Sequence, residues 1–380
     1  MNILVYGLSC TNLSGRQVLC GHLGEMLQAF PDKHRFSLLL HNRNRDVLEM
    51  IATDFDGKRP EYLRIIRAPA WTSHWAGRVL YDFMWLPRLI NRNKYDIILT
   101  LSGTYLRRLP CRQYTLALNP WAFIASAHRT LGERIKAGLQ RKAYARVVHF
   151  ATGVGYGSGF MRDLYRRAAG REERKGAVVY PAFSRNEVAE MEATLAHAPR
   201  REANTVVCVS LMARHKNIES LIRALVVLRN KYGCPARLRL VGGWADAGYR
   251  NEIEALINSC GMQAHVELTG HVSRQELLRS CAAAKIYALL SRSESFGIPA
   301  VEAQWMGTPV VAGNGCAAPE VCAGGGMYVA PDDVDGAAKA LATLLQDENK
   351  WSEYSRNAAK NARRFQYALT SRTLFDLMDL

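Results

Sequence analysis

Residues 291–311, SRSESFGIPAVEAQWMGTPVV, constrain this chain more than any other stretch. They follow an apolar run, Ile286 to Leu290, short enough and sharply enough bounded to be a buried parallel strand. The sequence then turns through Ser-Arg-Ser-Glu-Ser-Phe-Gly and enters a helix at Pro299, because proline is pre-set for the first helical position and its missing N–H costs nothing there. The amides of Phe296, Gly297 and Ile298 are thereby expected at a helix N-terminus on the carboxyl edge of a sheet. Such a place gathers N–H donors and the positive end of the helix dipole, and suits an oxygen-rich ligand. Glu294 precedes the turn and Glu302 falls in the first helical turn, so both carboxylates can line one crevice. Carboxylates only accept hydrogen bonds, so they suit the hydroxyls of a sugar and a ribose and not phosphate. The bland alternative is a buried strand–helix turn whose first-turn glutamate is favoured by the helix dipole.

The full string is more specific than two glutamates eight apart. Glu294-Ser-Phe-Gly-Ile-Pro-Ala-Val-Glu302-Ala, with Gly307-Thr-Pro-Val after it, resembles the Glu-x7-Glu signature of family 4 retaining glycosyltransferases. The resemblance covers nearly the whole chain, strongly over residues 205–345 and loosely over 1–180. It implies an α/β protein of the GT-B fold: two Rossmann-like parallel-sheet domains facing a central cleft, with a C-terminal helix crossing back to the first domain. It further implies metal-independent transfer of a hexose (mannose-, rhamnose- or glucose-like) from a GDP- or UDP-linked sugar, with retention and with no cofactor.

The resemblance can be carried onto individual residues. Cations at a strand end that opens into a helix make a diphosphate clamp. Arg214-His-Lys216-Asn217 sits where the family holds the donor diphosphate with an Arg/Lys pair. Lys216-Asn217 matches well, whereas Arg214 is shifted by one position and His215 stands where one common form has arginine. Gly15, preceded by Ser14, keeps only the second glycine of the family's donor-proximal pair. In relatives the backbone near Val272 packs on the nucleotide base. By the same resemblance Glu294 orients sugar hydroxyls and Glu302 binds ribose, so the catalytic set is Lys216, Arg214 and Glu294. The donor-binding set is Gly15, Val272, Phe296, Gly297, Ile298 and Glu302. Many relatives place an active-site histidine where this chain has Asn119-Pro-Trp, so no catalytic histidine is named, and His128 nearby reads as a surface residue.

Length and pattern supply the rest. A chain of 380 residues predicts two domains, placed at 1–182 (acceptor-binding) and 205–362 (nucleotide-sugar-binding). Residues 183–204 read as a connection and 363–380 as the returning helix. The strands expected in the first half are 2–6, 35–41, 61–66, 96–101, 113–118, 147–151 and 178–181, with Thr152–Gly159 as a glycine-rich turn. Strands and helices in alternation argue for a parallel sheet. Ser273, followed by Glu276, predicts a capped helix, and two final helices are expected. The segment from Trp71 to Ile90 reads as a core-packing helix in preference to an interfacial patch. No run of eighteen apolar residues predicts a membrane span, and the start reads as a strand and not a signal peptide. Nine cysteines without a C-x-x-C read as reduced core residues of a cytoplasmic protein, and the histidines show no metal-ligand spacing.

Charge divides the halves. Residues 1–182 hold 28 Lys and Arg against 13 Asp and Glu, a net of +15, while the remainder carries only +1. One half should therefore meet something anionic. Arg129, Arg134, Lys136, Arg141, Lys142 and Arg146 lie in a helical pattern from Arg129 to Val147 that Glu133 alone interrupts. Its bland reading is a solvated face. The alternative is an anionic lipid-linked or glycan acceptor, with peripheral contact at the inner face of a membrane in bacterial surface polysaccharide or lipopolysaccharide synthesis. Two rivals stand beside the transferase: a GT-B nucleotide-sugar epimerase or hydrolase, and a basic nucleic-acid-binding protein. The absence of any recognised nucleic-acid motif disfavours the second.

Overall fold

The structure, a computed structural model, describes the chain except residues 12, 42, 43, 45, 54, 56, 59, 107, 108, 126, 127 and 129. It forms two compact units: Met1–Phe123, Thr130–Glu187 and Phe365–Leu380 make the first, Ile124–Arg129 and Val188–Arg364 the second. The polar stretch from 183 to 204 is mostly a helix, Arg185–Ala196, and the strand after it opens at Glu202.

The first unit holds seven parallel strands: β1 (Asn2–Tyr6), β2 (Arg35–Leu40), β3 (Leu63–Arg67), β4 (Ile97–Thr100), β5 (Arg112–Ala117), β6 (Gly153–Tyr156) and β7 (Gly176–Val178). Their order is β3-β2-β1-β4-β5-β6-β7. Helices cover both faces, which is why β2 and β4 read as near-continuous apolar runs. On one face Ile3, Val5, Leu38, Leu99 and Leu116 pack with helix Leu13–Ala29 and with Leu374, Leu377 and Met378 of the last helix, Tyr367–Met378. The returning C-terminal helix is thus part of the first unit's core. On the other face Leu4, Tyr6 and Ile98 pack against helices Trp75–Met84 and Leu86–Asn93. Ala117, Val154 and Tyr156 pack against helices Leu131–Phe150 and Gly159–Ala169. These two clusters share a face. Thr100 and Thr115 are register partners joined by a 2.7 Å hydrogen bond, and the two-residue period of a strand sets Ile98 and Ala117 beside them.

Several expectations are corrected here. Residues 147–150 are the end of helix Leu131–Phe150 and not a strand; the strand is the glycine-rich Gly153–Tyr156. Its glycines are required by packing. A Cβ on Gly153 would come within 2.8 Å of the Tyr114 ring, and one on Gly155 would overlap Leu116, both on β5. Strand β7 lies two residues earlier than expected. The segment Trp71–Ile90 is a short 3-10 turn followed by two helices and not one: Tyr81, Leu86 and Ile90 pack into the core as expected, whereas Trp75, Val79 and Phe83 are left largely exposed. His128 is buried, not on the surface. Three helices, not two, close the chain: Val334–Gln346, Glu348–Ala362 and Tyr367–Met378.

The second unit holds six parallel strands: β8 (Glu202–Val209), β9 (Arg237–Val241), β10 (Val266–Gly270), β11 (Ala284–Leu289), β12 (Val310–Gly313) and β13 (Gly326–Val329). Their order is β10-β9-β8-β11-β12-β13. All nine cysteines are free, and burial holds the thiols of Cys208 and Cys322 up at about 12, so neither is a ready nucleophile.

Two glycines in helices should respond to alanine with opposite signs. Gly138 has open space where a Cβ would go, so Gly138→Ala should raise stability by about 0.5–1 kcal/mol. A Cβ on Gly21 would overlap the ring of Tyr367, which is itself buried, so Gly21→Ala should instead cost about 1–3 kcal/mol. Thermal melts of both variants check this; stabilisation by Gly21→Ala would show that the last helix does not pack as described.

Candidate functional site

The second sheet reverses its order between β8 and β11, with β9 and β10 on one side of the pair and β12 and β13 on the other. Loops leaving the carboxyl ends of such a pair diverge, and ligands bind in the crevice they open. Both loops carry residues singled out from the sequence.

After β8 the chain makes a single turn, Arg214–Lys216, and reaches Asn217 in the left-handed region at φ 59° and ψ 46°. A long helix, Ile218–Tyr232, starts immediately after it. Asparagine tolerates this conformation better than most residues. Its buried side chain also donates to the carbonyls of Leu290 (3.1 Å) and Pro331 (2.6 Å), tying together the loops after β8, β11 and β13. Arg292 adds a second strap. Its backbone N–H donates to the His215 carbonyl at 2.8 Å, and its guanidinium reaches the Arg214 carbonyl, Glu219 and Asp332.

With the loops fixed, Lys216 Nζ and Glu294 Oε2 form an ion pair whose side chains are only 14% and 18% exposed. His215, between the two cations Arg214 and Lys216, is held below its ordinary pKa by burial first and by the Lys216 charge second, with Glu294 opposing. It is therefore neutral near pH 7. The turn after β11 then enters helix Ile298–Trp305 through Gly297, whose φ of 94° suits glycine. The helix begins one residue earlier than expected, so Pro299 is its second residue and Glu302 lies just past its first turn. The amides at Gly297 and Ile298 occupy the N-terminal positions that lack intrahelical acceptors. Phe296 is buried beneath them.

The two glutamates have different surroundings. Glu294 faces the loop after β8, whereas Glu302 is 2% exposed and accepts from Arg274 Nη1 at 2.5 Å. Arg274 also donates through Nε to Glu190 at 2.7 Å. Arg214 is likewise engaged: its guanidinium is bidentate to Glu252, at 2.5 Å for each bond, and lies over the Tyr249 ring at 5.0 Å. Val272 is half-buried in the turn before helix Arg274–Ala283, where Ser273 accepts from the Glu276 N–H as expected of a cap.

Two candidates belong to the first unit. Gly15 lies in the opening turn of helix Leu13–Ala29. Asn119 follows β5, and its side-chain oxygen accepts from the Trp121 N–H at 2.9 Å, so it serves the local turn. Asn217, Arg292 and Arg274 were not singled out as site residues, although Asn217 and Arg292 lay inside quoted motifs. Only Arg274, beside the Ser273 cap, carried no sequence signal for its role. Among the described residues no three His, Cys, Asp or Glu side chains are grouped to hold a metal ion.

Residues 194–365 match the family model described as "Glycosyl transferases group 1", a match centred on the second unit. A GDP-mannose-dependent alpha-(1-6)-phosphatidylinositol monomannoside mannosyltransferase of Mycobacterium tuberculosis is 35% identical over 158 residues, 39% of this chain and 40% of that protein. The O-antigen chain mannosyltransferase B of Escherichia coli is 30% identical over 147 residues, 38% of this chain and 37% of that protein. The chain thus spans about two fifths of the length of these curated relatives. HepE of Anabaena, solved with UDP and glucose, superposes with a TM-score of 0.68 at 20% identity, covering 100% of this chain and 99% of that one. The fold is the expected GT-B fold.

Asn217→Ala should cost about 2–4 kcal/mol, because two loop carbonyls lose a buried donor and alanine is strained at positive φ. Asn217→Gly relieves the strain alone, and chemical denaturation should place it between wild type and Asn217→Ala. Equal stability of all three would mean that this side chain does not hold the loops.

Proposed function

We propose that this protein is a retaining, metal-independent hexosyltransferase. It would take a hexose from a GDP- or UDP-linked sugar and pass it to an anionic glycan or lipid-linked acceptor in bacterial surface polysaccharide or lipopolysaccharide synthesis. The observation that carries the reading is the Lys216–Glu294 pair at the switch point between β8 and β11. It lies within the matched family segment and beside a helix N-terminus. The relatives support a nucleotide-sugar donor: one is named for GDP-mannose, and a structural neighbour was solved with UDP.

The chemistry follows from charge. As the sugar leaves, negative charge grows on the departing diphosphate, and fixed cations and amides there lower the barrier. The Lys216 ammonium has three donors, so it can keep Glu294 and still reach a phosphate oxygen. Glu294, held by that contact, is left to accept from sugar hydroxyls. Arg214 would join the clamp by exchanging Glu252 for phosphate; that pair is partly exposed and worth only about 0–1 kcal/mol, so the exchange costs little. Glu302 would accept from ribose while keeping Arg274, since a carboxylate has about four lone-pair sites. The amides of Phe296, Gly297 and Ile298 would face the diphosphate and the Val272 backbone the base. The acceptor hydroxyl attacks on the face the diphosphate leaves, and a leaving-group oxygen takes its proton, which preserves anomeric configuration.

Transfer assays with a panel of UDP- and GDP-hexoses, reading product configuration by NMR, test the reading. Lys216→Ala should lower kcat by about two to three orders of magnitude, equivalent to roughly 3–4 kcal/mol. Glu302→Ala should weaken binding of the free nucleoside diphosphate in calorimetry, whereas Glu294→Ala should spare it and damage transfer. Wild-type kcat in a folded Lys216→Ala protein would remove the clamp. Equal nucleotide affinity losses in the two glutamate variants would remove their division of labour.

A separate experiment addresses the metal. EDTA should leave transfer unchanged, and a sharp loss restored by Mg²⁺ would overturn metal independence. Donor turnover without any acceptor would favour the epimerase or hydrolase alternative.

A further inference from the structure

The large apolar side chains left exposed are unevenly shared. Among the described residues, Leu211 is the only one in the second unit; the others belong to the first. Two runs of them have helical spacing. On helix Trp75–Met84, Trp75 (69% exposed), Val79 and Phe83 (65%) stand at i, i+4 and i+8, with Leu80 and Met84 beside them. On helix Leu131–Phe150, Leu131 (74%), Ile135 and Leu139 (64%) stand at the same spacing. That helix buries Ala137, Tyr144, Val147 and Val148, so its exposed apolar row lies opposite its packed side.

Charge accompanies the second row. At 3.6 residues per turn, Lys142 and Arg146 continue the line of Leu131, Ile135 and Leu139, while Arg134 and Lys136 flank it on either side. Glu133 is the helix's single acidic residue and is engaged in the capping box with Thr130. Arg129 lies outside the described residues. Both helices cover the same face of the seven-stranded sheet, as the Thr100–Thr115 register establishes. The first row is braced from below. Trp71, Tyr81 and Trp85 form a ring cluster with centroids 5.4–6.4 Å apart, and Gly77 lets helix Trp75–Met84 close onto the Trp71 backbone.

We infer that this helical face of the first unit docks onto an anionic lipid bilayer, the Trp75–Val79–Phe83 and Leu131–Ile135–Leu139 rows entering the headgroup boundary and the basic residues of helix Leu131–Phe150 meeting lipid phosphate. Each feature has a separate reason. Exposed Trp and Phe rows gain from an apolar phase and gain nothing from a phosphate polymer in water. Lysine and arginine flanking an apolar row can bury their stems and keep their charges at the headgroups. A nucleic acid would use the charge and leave both apolar rows in water. A second copy of the chain would bury the apolar rows but bring two basic helices together. The surface stands on its own geometry and does not require the transferase reading, although it would serve a lipid-linked acceptor.

Flotation with phosphatidylcholine vesicles, with and without phosphatidylglycerol, tests it at low and high salt. The protein should float with the anionic vesicles and scarcely with the neutral ones, and its tryptophan emission should shift to the blue on binding. Lys142→Gln/Arg146→Gln should weaken low-salt binding by about fivefold per charge removed, roughly 25-fold for the pair. Phe83→Ser/Leu139→Ser should abolish the fraction that survives high salt. All four side chains are exposed, and binding of free UDP or GDP by calorimetry should be unchanged in both variants, so loss of docking is distinguishable from failure of the transferase reading. The proposal falls if the protein does not float with anionic vesicles at low salt, or if neither pair of substitutions changes flotation. It also falls if duplex DNA on beads captures the protein as well as the vesicles do. Light scattering that shows a dimer broken by Phe83→Ser/Leu139→Ser would assign the surface to a second copy instead.

Discussion

One buried amide holds the carboxyl edge of the second sheet together. Parallel strands leave their connecting loops at one end, each with backbone carbonyls that need donors once buried. Asn217 answers two of them at once, from β11 and β13, while its own backbone turns through the left-handed region to start a helix. Few residues could combine the two. Serine or aspartate lacks a two-proton donor, glycine has no side chain, and glutamine is less at ease at positive φ. The position of the preceding residue, Lys216, follows from this anchor, as does the meeting of Lys216 with Glu294 on the neighbouring loop.

That ion pair is poor evidence for stability. Removing two charges from water costs several kcal/mol per ion, and a well-packed apolar pair in the same space would often do as well. Its location is more telling than its energy, because it sits where an open parallel sheet reverses its order and where a helix N-terminus points. The contrast with Arg214–Glu252 is instructive. Both pairs are short, yet the exposed one can be exchanged cheaply, whereas the buried one is a fixed feature against which a ligand must be placed. Arg274 shows a third arrangement, a cation shared by Glu190 and the almost fully buried Glu302.

The first unit has a different economy. Its sheet is sealed on one face by the first and last helices of the chain, so the C-terminal residues complete a core that the N-terminal ones begin. On the opposite face the helices leave large apolar side chains and basic residues in water. The +15 charge of residues 1–182 and the exposed aromatic rows therefore occur in the same half of the chain, one visible in composition and the other only in three dimensions.

The sequence by itself determined the parallel α/β class, strands β1 to β5 of the first sheet, and the two loops that make the candidate site. These follow from local rules: short apolar runs between turn residues, proline at a helix start, serine at a cap. The returning last helix was legible through the family resemblance. Tertiary structure decided what depends on neighbours distant in the chain. Gly153–Tyr156 looks like a turn in isolation, and is a strand because it pairs with β5 and β7, its two glycines leaving the room that Tyr114 and Leu116 fill. Glu302 and Glu294 look equivalent in sequence, and differ because Arg274 reaches one and Lys216 the other. Trp75, Val79 and Phe83 have the spacing of a core face, and lie in water because the sheet beneath them is already filled by Tyr81, Leu86 and Ile90. Periodicity reports that one side of a helix is apolar; only the packed fold decides which side has something to pack against.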